Sequence, residues 1–160
     1  MTQVADSERV QYMNMAFEMI QEYPFLGVGF NNFQLYSEPT QEAFPGYFFH
    51  SKVHNVYLLI ASEIGLIGGV FFLLFLWVIL KTAWLTALAR SNNSHLYSNN
   101  QEMFFLLATF SGIMLIGVFD FYLIHTPHGR MLFFGFAAFL YAMSQVVKQQ
   151  KHSENKSHIP

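Results

Sequence analysis

The sequence predicts an all-α, polytopic membrane protein, with about three transmembrane helices preceded by an amphipathic helix and a loop on the outer face. Three observations predict it. From Ile64 to Leu80 the chain carries no charge, and about 17–25 such apolar residues cross a bilayer as a helix. Charged residues make up 11% of the chain against 53% hydrophobic, where a soluble domain carries about 25% charged. Nineteen of the 160 residues are Phe, far more than a small aqueous core needs.

Composition also excludes. The net charge is −2, and no Lys/Arg cluster is present to follow phosphates along a duplex, so no nucleic acid is expected as partner. Cys is absent, which removes disulfides and thiolate metal sites. The start, MTQVADSERV, lacks a basic stretch followed by an apolar one and is not a signal peptide. Spans that follow such a start are expected to be the C-terminal part of a longer protein.

Residues 1–56 are expected to form an amphipathic helix and an aromatic-rich loop. Residues 1–23 read as helix, with Asp6 and Ser7 able to cap it. Val10, Met13, Ala16, Phe17 and Ile20 recur at three- and four-residue spacing. That stripe suits either a membrane surface or packing on neighbouring helices. Pro24 ends the helix, and Gly27, Gly29, Asn31 and Asn32 favour turns. Residues 34–53 read as an irregular loop whose aromatics (Phe44, Tyr47, Phe48, Phe49) suit a lipid interface.

Residues 57–147 are expected to hold three spans: Tyr57 to Leu80, Met103 to Phe119, and Met131 to Val147. A polar connection over 81–102 joins the first two. A short turn, Asp120 to Arg130, with Pro127 and Gly129 as breakers, joins the last two. Residues 148–160 read as a disordered cytoplasmic tail. Lys81, Arg90, Lys148, Lys151 and Lys156 fall on one side, and Arg9, Lys52 and Arg130 on the other. Cytoplasmic loops carry the excess of cations, so the first 50 residues and the Asp120–Arg130 turn should face outward, the periplasm in a bacterium. His50, His54, Asp120, His128 and Arg130 then share one side.

His54 is the first candidate for chemistry, since its ordinary pKa of about 6.5 lets it exchange a proton near neutrality; the plainer alternative is a hydrogen-bonded structural histidine. In a continuous helix His54, Leu58, Ala61 and Gly65 share a face, and Glu63 points the other way. Glu63 lies about one turn inside the apolar run, where a carboxylate faces protein or water; fixing helix packing and catalysis both fit. Asp120 and Arg130 flank an outer turn and could simply pair. Arg9 offers a planar fork suited to diphosphate oxygens, or is a solvated helix residue. His50-x3-His54 and His125-x2-His128 have spacings that can chelate zinc, but no Cys assists and Pro127 interrupts the second. No P-loop, GxGxxG or GxSxG is present. Gly65, Gly68 and Gly69 suit close helix packing.

The order of features then becomes familiar. Arg9 opens an amphipathic helix; P-x-L-G-V-G-x-N-N-F follows from Pro24; H-N-x-Y-L-x-x-x-x-E-x-G-x-x-G runs from His54 into a span. Over roughly residues 9–140 this resembles the family of O-antigen ligases and Wzy-type polymerases, which also holds bacterial O-linked oligosaccharyltransferases. The resemblance implies a multi-pass protein of the bacterial inner membrane with its catalytic loop in the periplasm. It would move a glycan from undecaprenyl diphosphate to a hydroxyl on lipid A core, a growing glycan or a protein, with membrane lipid around it and neither metal nor cofactor. Carried over by motif, His54 would activate the acceptor hydroxyl or steady the leaving group, Asp120 matches the family's acidic position, and Arg9 would hold the diphosphate. Asn55 and Arg130 are expected at the substrate, Arg130 without a motif of its own. Family members have many spans before the loop, so this chain alone is expected to be inactive without further N-terminal spans. The contrasting expectation is a non-catalytic three-span subunit that packs on a partner.

Overall fold

The computed structural model describes residues 2–36, 52–88 and 94–157. In chain order these form α1 (Thr2–Glu22), α2 (Val56–Leu88), α3 (Ser94–Ile116), the single turn α4 (Tyr122–His125) and α5 (Pro127–Ser157). No strand occurs among the described residues. The predicted aromatics of the loop, Phe44 to Phe49, and His50 lie outside them.

Helices α2, α3 and α5 pack on one another around Ile79, Ala83, Met103, Leu107, Phe110 and Leu140. The abundant Phe explains itself here. Phe110 stacks on Phe136 with centroids 6.0 Å apart and rings 5° from parallel, and Phe72 stacks on Phe133 at 6.0 Å. The outward faces of the same helices are apolar too: Phe71, Met131 and Leu132 are 68%, 76% and 72% exposed. A water-soluble monomer does not present that much contiguous apolar surface, whereas lipid requires it. Helices α2 and α5 are long and apolar enough to cross a membrane, and the apolar part of α3, Gln101–Ile116, is shorter. The protein is a polytopic helical membrane protein.

Around the start of α2 sits a second, smaller core. Tyr12, Met15, Ala16 and Met19 of α1 pack with Phe33, Val53, Leu59 and Phe121. Of the two uses open to the stripe Val10, Met13, Ala16, Phe17 and Ile20, packing on neighbouring helices is not what it does as a whole. Ala16 is buried, but Val10, Met13 and Phe17 stay exposed. Two adjacent apolar stripes run along this helix, and the helix turns the neighbouring one inward.

Element boundaries moved for physical reasons. Helix α1 begins at Thr2, so Asp6 and Ser7 lie within it and do not mark its start. Helix α2 runs on to Leu88 and α3 begins at Ser94, both well inside the polar connection expected over 81–102; Ala83 and Ala87, buried against the bundle, carry α2 past Lys81. Pro127 starts α5 rather than breaking a turn, because the first helical position has no hydrogen bond to lose. The Thr126 hydroxyl accepts from Gly129 N at 3.0 Å and caps that start. Helix α5 continues to Ser157 through the expected tail, helped by good helix formers such as Lys and Gln and by Lys151, whose Nζ donates to Thr86 O at 3.2 Å.

The largest correction concerns the first span. The residues from His54 to Leu80 do not form one unbroken helix. The helix starts at Val56 and is broken at Gly65 (φ 73°, ψ 177°). His54 and Gly65 therefore do not share a helical face with Leu58 and Ala61, and the candidate span Val56–Leu88 is kinked near its start.

Candidate functional site

The break in α2 is made by the loop that follows α1. Val28 N donates to Ser62 O at 3.0 Å, Gly29 N to Glu63 O at 2.8 Å, and Leu66 N to Pro24 O at 2.8 Å. The loop thus takes over backbone groups that a continuous helix would pair with itself. So close an approach requires glycine on both sides. A Cβ on Gly27 would lie 2.5 Å from the Glu63 carbonyl carbon, and one on Gly65 would overlap the Phe25 carbonyl. Both glycines also hold positive φ, at 65° and 73°, which side chains resist.

A buried ion pair fastens the same junction. Lys52 Nζ lies 2.8 Å from Glu63 Oε1, with both side chains almost fully buried. Lys52 also donates to Asn31 Oδ1 at 2.9 Å. The Glu63 carboxylate further accepts from Asn31 N at 3.0 Å and Phe33 N at 3.3 Å. Its charge is therefore met by one cation and two backbone donors, which is what a buried carboxylate needs. Of the two readings of Glu63, the structure supplies the packing one, with the loop and Lys52 as partners in place of another helix. Across the loop, the Tyr36 hydroxyl donates to Glu22 Oε2, and that carboxylate pushes the phenol pKa up to about 12. This ties the loop's far end to α1.

The polar residues of interest stand beside this junction. His54 lies in a bend just before α2, two residues after Lys52. Its ring packs on Phe121 with centroids 5.1 Å apart. Asn55 Oδ1 accepts from Tyr57 N at 2.9 Å and Leu58 N at 3.0 Å, so Asn55 caps α2. Val56 N donates to Gly117 O at 2.8 Å and brings the end of α3 against the start of α2. That contact delivers Asp120, whose Oδ1 accepts from Phe121 N at 2.6 Å and Tyr122 N at 3.2 Å.

Electrostatics show which groups share a site. Partial burial lowers the His54 pKa from its ordinary value; the positive charge of Arg9 lowers it further, and the negative charge of Asp120 works the other way. The charges of Arg9 on α1 and of Asp120 after α3 are thus both felt at His54, though the three lie far apart in the chain. At about neutral pH His54 is an uncharged imidazole, able to accept a proton.

Arg130 lies on a second flank. Its guanidinium carbon sits 5.9 Å from the centre of the Phe30 ring, and its charge reaches His125. The His125 pKa is lowered by burial first, then by Lys52, with Glu63 opposing and Arg130 reinforcing. His125 also meets Phe121, at 5.6 Å between centroids. One buried Phe therefore touches both imidazoles. Lys52 and Phe121 were not among the site residues expected from sequence, and His125 entered only as half of a zinc-chelating spacing. For Lys52 a signal existed: a carboxylate inside an apolar run demands a counterion, and Lys52 is the nearest cation on its N-terminal side. Among the described residues, no group of three His, Cys, Asp or Glu side chains is arranged to hold a metal ion.

Comparison with known proteins agrees with the motifs. Residues 1–73 match the family model described as O-antigen ligase (Wzy_C). The resemblance read from the sequence is thereby shown over that segment, which takes in Arg9, the glycine loop, His54, Asn55, Glu63 and Gly65, and ends before Asp120 and Arg130. No curated protein and no solved structure matches.

Proposed function

We propose that this chain, matched to the O-antigen ligases over residues 1–73, carries the reacting end of a membrane glycosyltransferase. Its donor is a glycan on undecaprenyl diphosphate, its acceptor a hydroxyl on lipid A core, a growing glycan or a protein, and its site faces the periplasm from the inner membrane. The observation that supports the reading is the family match over residues 1–73, which hold Arg9, His54 and Asn55, together with the charges of Arg9 and Asp120 acting on His54 and that of Arg130 acting on His125.

Neutral His54 accepts the proton of the acceptor hydroxyl as its oxygen bonds to the anomeric carbon of the donor sugar. The bond from that carbon to the phosphate oxygen breaks, and the diphosphate leaves with the electron pair. Arg9 meets the growing charge on the diphosphate, and Arg130 is the second guanidinium available for it. Asp120 then steadies the imidazolium that His54 has become. Asn55 holds the backbone that presents His54 and reaches the substrate from the same turn. Lipid around the spans keeps the donor's polyprenyl tail beside this chemistry.

The test is replacement of His54 by Ala and of Arg9 by Gln in cells that depend on this protein for surface glycan. The reading expects loss of glycan with normal protein level for both. Normal glycan in either variant would overturn it. Loss of the protein itself would instead favour a non-catalytic subunit that packs on a partner.

A further inference from the structure

Between Glu22 and Asn31 the chain has no charged residue, YPFLGVGF. Within it Phe25 and Leu26 are 69% and 77% exposed. The hydrogen bonds to α2 fix how deep this stretch lies. Gly29 is level with Glu63, Val28 with Ser62, and Pro24 with Leu66. Leu66 is the first residue after the break at Gly65 in the candidate span Val56–Leu88, and it and Ile67 are about half exposed. Pro24 to Leu26 therefore stand alongside the first turn of the span, while the Lys52–Glu63 pair and His54 stand toward its mouth.

We propose that Phe25 and Leu26 are seated in the acyl-chain region of the membrane leaflet next to the site, so that α1 descends into lipid at its C-terminal end. The commitment to lipid rests on continuity with the exposed face of the span. The backbone on either side of these two residues is already paired. Irregular chain is tolerated at membrane depth only where its polar groups are paired. Pro24 has no N–H, and its carbonyl accepts from Leu66. Gly27 N donates to Tyr23 O at 3.0 Å, and Val28 and Gly29 donate to α2. The inference goes beyond the glycosyltransferase reading and does not need it.

The native chain has no Cys, so single nitroxide labels can be placed on the whole protein in lipid nanodiscs. Labels at Leu26→Cys and Phe25→Cys are compared with Phe71→Cys in the span and Gln21→Cys on the exposed side of α1. Collisions with oxygen, which concentrates in acyl chains, and with a water-soluble nickel chelate are read for each. The expected result is oxygen-dominated relaxation at Leu26 and Phe25, at the level of Phe71 and well above Gln21. Nickel-dominated relaxation, nearer to Gln21, would place the turn in water and overturn the proposal. Shielding from both reagents would put protein over these side chains and overturn it equally. None of these readouts involves glycan transfer, so its presence or absence leaves the result intact.

Discussion

The two cores of this molecule are held by different forces. The three-helix bundle is apolar inside and out, and rings such as Phe110 and Phe136 fix it by shape. In lipid such packing lacks the drive of water exclusion, because acyl chains are as apolar as the side chains. The junction of loop and kink is fixed by direction instead. Lys52, Glu63 and Asn31 share three side-chain contacts, and two glycines let the backbones touch. The candidate site hangs on the second kind of structure. His54 is two residues from Lys52, so the ion pair fixes the chain on one side of it, as the Val56–Gly117 hydrogen bond does on the other.

The largest expected effect breaks that contrast at its centre. Glu63→Ala would leave the Lys52 ammonium buried without its carboxylate and would unpair the N–H groups of Asn31 and Phe33. Removing one partner of a buried pair costs about 3–5 kcal/mol. Phe110→Ala should cost less than the roughly 3–5 kcal/mol such truncations cost in aqueous cores, since lipid offers the exposed groups a good solvent. Reversible unfolding of both variants in bicelles measures the difference. Equal losses would mean that the two cores are held alike.

A smaller effect sharpens the comparison inside the site. Asn55→Ala removes the cap from α2 and should cost about 1 kcal/mol, whereas Asn55→Ser keeps a capping oxygen and should cost little. Transfer activity separates the two roles given to this residue. If Asn55→Ser is as stable as the native chain yet loses transfer, the amide touches substrate; if it retains transfer, the cap is the whole of its work.

Much of this was legible in the sequence where one residue type has one use. The uncharged run announced a span, and the H-N-x-Y-L and P-x-L-G-V-G motifs announced the family model that residues 1–73 match. The grouping of His54 with Asp120 followed from counting crossings. The break at Gly65 was not legible, because the apolar run reads continuously through it and only the partner loop, some forty residues upstream, forces the positive φ. The fate of Glu63 was hidden for the same reason. Its partners are two backbone N–H groups and a lysine from outside the helix, and hydrophobic periodicity carries no record of them. The packed face of α1 was ambiguous because Tyr12, Met15 and Met19 form a stripe as apolar as Val10, Met13 and Phe17.

The finest test concerns the charges around His54. Burial holds its pKa below the ordinary value of about 6.5, Arg9 pushes it further down and Asp120 pulls it up. Arg9→Gln should therefore raise the His54 pKa, and Asp120→Asn should lower it again, each by less than burial does. Nitrogen chemical shifts of labelled histidine, followed against pH, read both. The sign for stability follows from linkage. A histidine whose folded pKa is depressed supports the fold above the unfolded value of about 6.5 and withdraws that support as pH falls through the folded value. If His54 is the base, transfer should rise with pH with a midpoint below about 6.5, and that midpoint should move upward in Arg9→Gln if activity survives. Shifts of the same sign in both variants would mean that Arg9 and Asp120 do not act on His54 with opposite charge, and the grouping on which the site rests would come apart.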